Sequence, residues 1–107
     1  MITIVYHRTY NRVTVSGHAG SGEKGRDLIC AGVSALVYTL ASNVDSLVTQ
    51  GNAREPVIEL REGWAEISCK PKTNMKAVAT LLFDSVCSGF ELMAARYPEY
   101  VTFEARV

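Results

Sequence analysis

Residues 27 to 49 limit the folds open to this chain more than any other stretch. Apolar side chains recur there at Ile29, Val33, Leu36, Val37, Leu40 and Val44, the spacing of one face of an α-helix. Asp27 stands where an N-cap belongs, its side-chain oxygen placed to accept the backbone N–H of Ile29 or Cys30. Gly51 follows as a C-terminal breaker. A long helix with a broad apolar face needs a second layer to bury it, and the preceding segment supplies strands. Ile2, Ile4 and Tyr6 alternate with Thr3, Val5 and His7, and after Thr9-Tyr10-Asn11 comes Arg12-Val13-Thr14-Val15-Ser16, which predicts a hairpin.

The second half reads similarly. Arg54-Glu55-Pro56 opens a second hairpin with Ile58 and Leu60 facing inward on one strand, Ala65, Ile67 and Cys69 on the other, and a turn near Glu62-Gly63. Trp64, on the opposite parity, is expected to be partly exposed, with ordinary packing as its first role and the gripping of a peptide as its second. Asn74 is the expected cap of a second helix that buries Met75, Val78, Leu82, Val86, Phe90 and Met93 and stops at Tyr97-Pro98. Val101, Phe103, Ala105 and Val107 then alternate as a last strand. The order is β-β-α-β-β-α-β, an α/β chain of the α+β type in two layers, one mostly antiparallel sheet covered by two helices. The small residues Ala31, Gly32, Ser34 and Ala35 are expected to pack tightly on that sheet, with a dimer seam as their second reading.

A chain of 107 residues predicts one domain over 1–107. Its 11 basic and 11 acidic residues cancel, which removes the electrostatic argument for direct nucleic-acid binding or an anionic membrane. Met1-Ile2-Thr3-Ile4-Val5 lacks the charged start and long apolar run of a signal peptide or membrane span, so the expected location is the cytoplasm. Cysteines at 30, 69 and 87 form no C-x-x-C pair and fit neither a disulfide framework nor a structural zinc site. Reduced thiols and no metal are expected.

Chemistry concentrates around the start of the first helix. Cys30 is the third helical residue, where free N–H groups and the positive dipole end favour a thiolate. His18 lies twelve residues upstream across a glycine-rich loop that can double back, placing an imidazole within reach as general base and then general acid. His7, at the turn of the first hairpin, would be roughly 20 Å from His18 if the strands run about six residues at ~3.3 Å each, and is given a surface or strand role. Cys69 points into the core and Cys87 sits mid-helix, so neither has the feature that activates Cys30. Gly17, Gly20, Gly22 and Gly25 read as a segment that bends or admits a substrate backbone, a lid. Ala19 and Ala31 join these glycines as candidate oxyanion or loop residues, because backbone N–H groups at the helix start can hold a developing negative charge.

Gly17-His18-Ala19, the twelve-residue step to Cys30, and Gly25-Arg26-Asp27-Leu28-Ile29-Cys30-Ala31-Gly32-Val33-Ser34-Ala35-Leu36 resemble the ribosomal-processing cysteine protease family, Prp. The resemblance lies within residues 17 to 36. It implies a small cytoplasmic homodimeric endopeptidase that removes an N-terminal extension from a large-subunit ribosomal protein precursor, the twenty-seventh, with His18 and Cys30 as its dyad and no cofactor. Gly-Ser-Gly follows His18-Ala19 where the family has bulkier residues, which keeps open the phage relatives that process capsid or scaffold proteins.

Other readings compete at the same residues. Gly20-Ser21-Gly22-Glu23-Lys24-Gly25 matches G-x-G-x-x-G, but its strand belongs to a hairpin instead of a βαβ unit, and no Gly-Lys-Ser/Thr follows. From a different class comes a non-catalytic interaction module, its sheet edge binding a partner strand and Cys30 serving as a redox-sensitive thiol. Asp27 has two roles open to it: the N-cap, or a third group that orients His18.

Overall fold

The long helix expected from the periodicity is α1, Leu28–Thr49, and Asp27 is its N-cap. A computed structural model describes residues 1–20 and 27–107 of the chain. Before α1 come β1, Ile2–His7, and β2, Arg12–Gly17. After it come β3, Ala53–Arg61, β4, Trp64–Pro71, the helix α2, Lys76–Arg96, and β5, Val101–Arg106. The strands make one sheet in the order β3-β4-β2-β1-β5. All pairings are antiparallel except β1 with β5, which run parallel with Ile2 opposite Val101. Both helices bury one face against this sheet, the two-layer α+β arrangement that the alternating periods predict.

Burial follows the two-residue period in the inner strands. Ile2, Ile4 and Tyr6 of β1, Val13 and Val15 of β2, and Ala65, Ile67 and Cys69 of β4 are buried, and α1 answers with Ile29, Val33, Val37, Leu40, Val44 and Leu47. Each valine, leucine or isoleucine among them contributes about 1.5 to 3 kcal/mol on removal from water. By length and composition alone, α1 and residues 73–96 would each pass for a membrane span, with hydropathy of 1.4. In the fold each lays an apolar face on the sheet.

Four expectations change. The second helix begins later than expected: Asn74 lies in a short 3₁₀ turn, Thr73–Met75, and Met75 occupies the N-cap of α2 with no side-chain cap bond. The face α2 buries is Ala79, Phe83, Val86, Cys87 and Phe90, while Val78 is 45% exposed. At 100° per residue this face is turned about 60° from the stripe read in the sequence, because the small Ala79 and Cys87 let the Phe83 and Phe90 rings reach the sheet. On β3, register pairs Ile58 with the buried Ile67 and Leu60 with the buried Ala65, so both face the helical layer. They stay 40% and 45% exposed because β3 is an edge strand with no neighbour on its outer side. The small residues of α1 do not line the sheet either. A Cβ on Gly32 would meet Met93 Cε of α2 at 3.1 Å, and Ala31 and Ala35 are exposed.

The hairpin of β1 and β2 closes through a 3₁₀ turn, Arg8–Tyr10, and Asn11 at φ 46°. Asparagine tolerates this left-handed backbone better than most residues. Its side chain is fully buried, donating to Thr80 Oγ1 at 3.3 Å and accepting from Lys76 Nζ. Beside it Tyr6 donates its hydroxyl to Asp84 Oδ1 at 2.7 Å, and Arg8 reaches both Asp84 oxygens. These bonds fix the hairpin tip to α2, at the end of the sheet opposite Gly17.

Candidate active site

At the start of α1, Asp27 Oδ1 accepts the backbone N–H of Ile29 at 3.1 Å and of Cys30 at 3.0 Å. Its carbonyl oxygen takes the Ala31 N–H at 2.9 Å. Three donors of the first turn are thus engaged with Asp27, and the positive end of the helix is offset by a carboxylate. The donor turned toward the thiol comes from elsewhere: the Ala19 N–H donates to Cys30 Sγ at 3.3 Å. Ala19 is itself buried, so this bond joins the histidine segment to the helix.

The end of β2 determines where that segment goes. Gly17 has φ +93°, and a Cβ there would stand 2.2 Å from the Met1 carbonyl oxygen, so the position admits glycine alone. Its N–H donates to the Gly63 carbonyl at 2.9 Å. His18 follows at once, its carbonyl accepting from the Met1 nitrogen. Its imidazole approaches the β3–β4 turn, with Nε2 3.2 Å from where a Gly63 Cβ would be.

His18 and Cys30 line one cavity of about 400 Å³ between α1 and that turn. Gly17 lines it with them; its further walls are Val33, Val37 and Tyr38 of α1, with Leu60, Arg61 and Trp64 of the hairpin. Trp64, half-buried here, belongs to the cavity as much as to the packing. Its place beside the Glu62-Gly63 turn was the sequence signal for this; nothing comparable marked Tyr38 or Leu60. Gly20 has φ +69° with open space around it, Ala31 is exposed on α1, and Gly22 and Gly25, with the lid they were read to form, lie outside the described residues. His7 pairs with Arg12 at the opposite end of the sheet.

The three free cysteines differ in surroundings. Cys30 is half-buried in the cavity, whereas Cys69 and Cys87 are buried in the core. Burial pushes the Cys69 thiol up, and burial with the nearby Asp84 carboxylate pushes Cys87 up to about 12. Neither core thiol ionises near neutral pH. Among the described residues no group of three His, Cys, Asp or Glu side chains converges to hold a metal.

A half-buried cysteine in the first turn of a helix, sharing a cavity with a histidine, is the geometry of thiol proteases. Over residues 1–102 the sequence matches the family described as cysteine protease Prp. This chain belongs to that family. A relative from Mycoplasma pneumoniae, named ribosomal processing cysteine protease Prp, is 26% identical over 98 residues, 90% of this chain and 88% of its own length. The Staphylococcus aureus Prp crystallised with a covalently linked product peptide superposes with a TM-score of 0.75 at 25% identity, covering 99% of this chain and 100% of that one. A Streptococcus mutans structure follows at TM-score 0.65 and 28% identity, covering 97% and 90%. Membership of the Prp family settles the class of activity, cysteine protease, over the non-catalytic interaction module.

Proposed function

We propose that this chain is a cytoplasmic endopeptidase that removes an N-terminal extension from the twenty-seventh large-subunit ribosomal protein, through Cys30 and His18. The observation that carries this reading is the single cavity shared by the two side chains, with the Ala19 N–H aimed at the sulfur. Similarity to a ribosomal processing protease of M. pneumoniae and to an S. aureus Prp bound to a product peptide supports the substrate class. The uncovered Leu60 and the rings of Trp64 and Tyr38 give the cavity apolar walls that fit apolar side chains of an extended peptide.

In this reading His18 takes the Cys30 proton, and the Ala19 N–H stabilises the resulting thiolate. The sulfur attacks the scissile carbonyl carbon, forming a C–S bond and placing negative charge on the carbonyl oxygen. That oxygen, on the carbon now joined to Sγ, comes within reach of the same N–H. Collapse breaks the C–N bond as the imidazolium gives its proton to the leaving amine. A water, deprotonated by His18, then cleaves the thioester and returns the thiol. Each step uses groups present in the chain and water.

The reading includes a homodimer. The outer face of α2 supports it: Val78, Leu81, Ser85, Ser88, Leu92 and Ala95 are exposed, uncharged and spaced alternately by three and four residues.

The test is incubation of the unprocessed ribosomal protein from the same genome with wild type, Cys30→Ala and His18→Ala, followed by sequencing of the new N-terminus. Cys30→Ala is expected to abolish cleavage and His18→Ala to slow it by at least ~10². Cleavage by Cys30→Ala at the wild-type rate would refute the assignment.

A further inference from the structure

The imidazole of His18 is set against the turn that joins β3 to β4, at the residue of that turn that has no side chain. A Cβ added to Gly63 would stand 3.2 Å from His18 Nε2, 3.8 Å from Cδ2 and 3.9 Å from Cε1. The first of these is closer than side chains ordinarily come, so the ring would have to give way. The same turn holds the histidine's own strand, through the Gly17 N–H bonded to the Gly63 carbonyl at 2.9 Å. His18 therefore leaves β2 one residue after a backbone tether to the turn, and its ring comes to rest on the residue that supplies the tether.

We propose that Gly63 is a positioning residue for His18, and that the β3–β4 turn is the seat that fixes the imidazole relative to Cys30. The proposal rests on the dyad reading above. A histidine beside an open cavity has rotamers to choose from, and proton transfer requires heavy atoms about 2.6 to 3.2 Å apart. A rigid floor on one side of the ring removes the rotamers that would swing it away. A methyl group in that floor displaces the ring by a few tenths of an ångström, which takes up most of the roughly 0.5 Å within which a catalytic group must be held. The requirement at this position is thus for space as well as for backbone freedom.

The two requirements separate because the fold contains a matched control. Gly63 and Gly51 both have φ +75°, but a Cβ on Gly51 meets nothing within 4 Å. Alanine at either position meets the same positive φ; only at Gly63 does it also meet His18. Asparagine, which accepts positive φ more readily, provides a second pair should Gly63→Ala fail to fold.

The experiment compares Gly63→Ala, Gly51→Ala and His18→Ala in the full chain, with Gly63→Asn and Gly51→Asn as the second pair. The readouts are melting temperature, the ¹⁵N imidazole resonances of His18, the pH profile of Cys30 alkylation by iodoacetamide, and kcat and KM on the ribosomal protein precursor. Both alanine variants should melt lower by similar amounts. Gly63→Ala alone should move the His18 resonances, shift the alkylation profile and cut kcat at least about tenfold with KM little changed. Unmoved His18 resonances in Gly63→Ala, or moved resonances with wild-type kcat, or the same losses in Gly51→Ala, would overturn the proposal. Wild-type turnover in His18→Ala would instead remove the dyad reading, and the resonances in Gly63→Ala would still report whether the turn seats the ring.

Discussion

Asp27 is where a single side chain carries most of the local order. It accepts two N–H groups through one oxygen, as an asparagine carbonyl can, and asparagine ranks with aspartate as an N-cap. Asp27→Asn is therefore expected to melt close to wild type and to process the precursor at a comparable rate, whereas Asp27→Ala should lose about 1 kcal/mol of stability. Thermal melts with cleavage assays check this; a well-folded Asp27→Asn protein with severely reduced turnover would make the carboxylate a partner of His18 instead of a cap. This cap was legible in the sequence because it depends on residues two and three positions apart. The same logic had a blind spot: the first-turn N–H groups expected to hold an oxyanion are the ones a capping residue consumes. The donor that does face the sulfur is Ala19, one of the candidates in the glycine-flanked segment, and its bond to Cys30 forms only when the end of β2 and the start of α1 are brought together.

The elements are joined at the far end of the sheet by the Tyr6, Arg8 and Asp84 contacts. Hydrogen bonding from the Arg8 guanidinium holds the Asp84 carboxyl below its ordinary value, and burial, with the bond to Asp84, raises the Tyr6 phenol. A lowered carboxylate stabilises the fold above its unfolded pKa, about 3.9, and that contribution is lost as pH falls through the lower, folded value. The raised phenol works in the opposite sense: its contribution is complete below about 10 and lost above. Asp84→Asn is expected to cost roughly 1 kcal/mol at neutral pH, as a partly exposed ion pair should, and to shrink the difference from wild type below about pH 4. Urea unfolding at a series of pH values checks this; a gap that persists unchanged at pH 2 would contradict it. None of this clasp was legible, since Arg8 and Asp84 are brought together only by the pairing of distant elements. The rotation of α2 was hidden for a related reason. Periodicity counts apolar residues, and Val78 scores like Phe83, although the sheet selects the face with the larger rings and the smaller neighbours.

For the whole molecule, the succession of elements and the helical layer were legible because alternating periods leave few ways to bury both apolar faces, whereas the order of strands within the sheet depends on pairings between distant segments. The association of copies was implied by resemblance alone, and the dimer proposed above is assigned to the exposed stripe on α2. Leu81 and Leu92 are 68% and 66% exposed on that stripe. Replacing both by glutamate is expected to convert a dimer to a monomer in sedimentation experiments with the melting transition of the isolated chain preserved, because neither side chain belongs to the core. A double variant that sediments like wild type would place the interface elsewhere. The parallel pairing of β1 with β5 has a temporal meaning as well. Translation delivers β1 and the histidine beside β2 early, yet one side of β1 keeps its backbone groups unmatched until β5 has emerged. Until then the nascent chain has an open edge suited to wrong partners. A protease assembled in this order cannot complete its sheet while only its first half is made, so Cys30 and His18 are synthesised well before the fold around their shared cavity is whole.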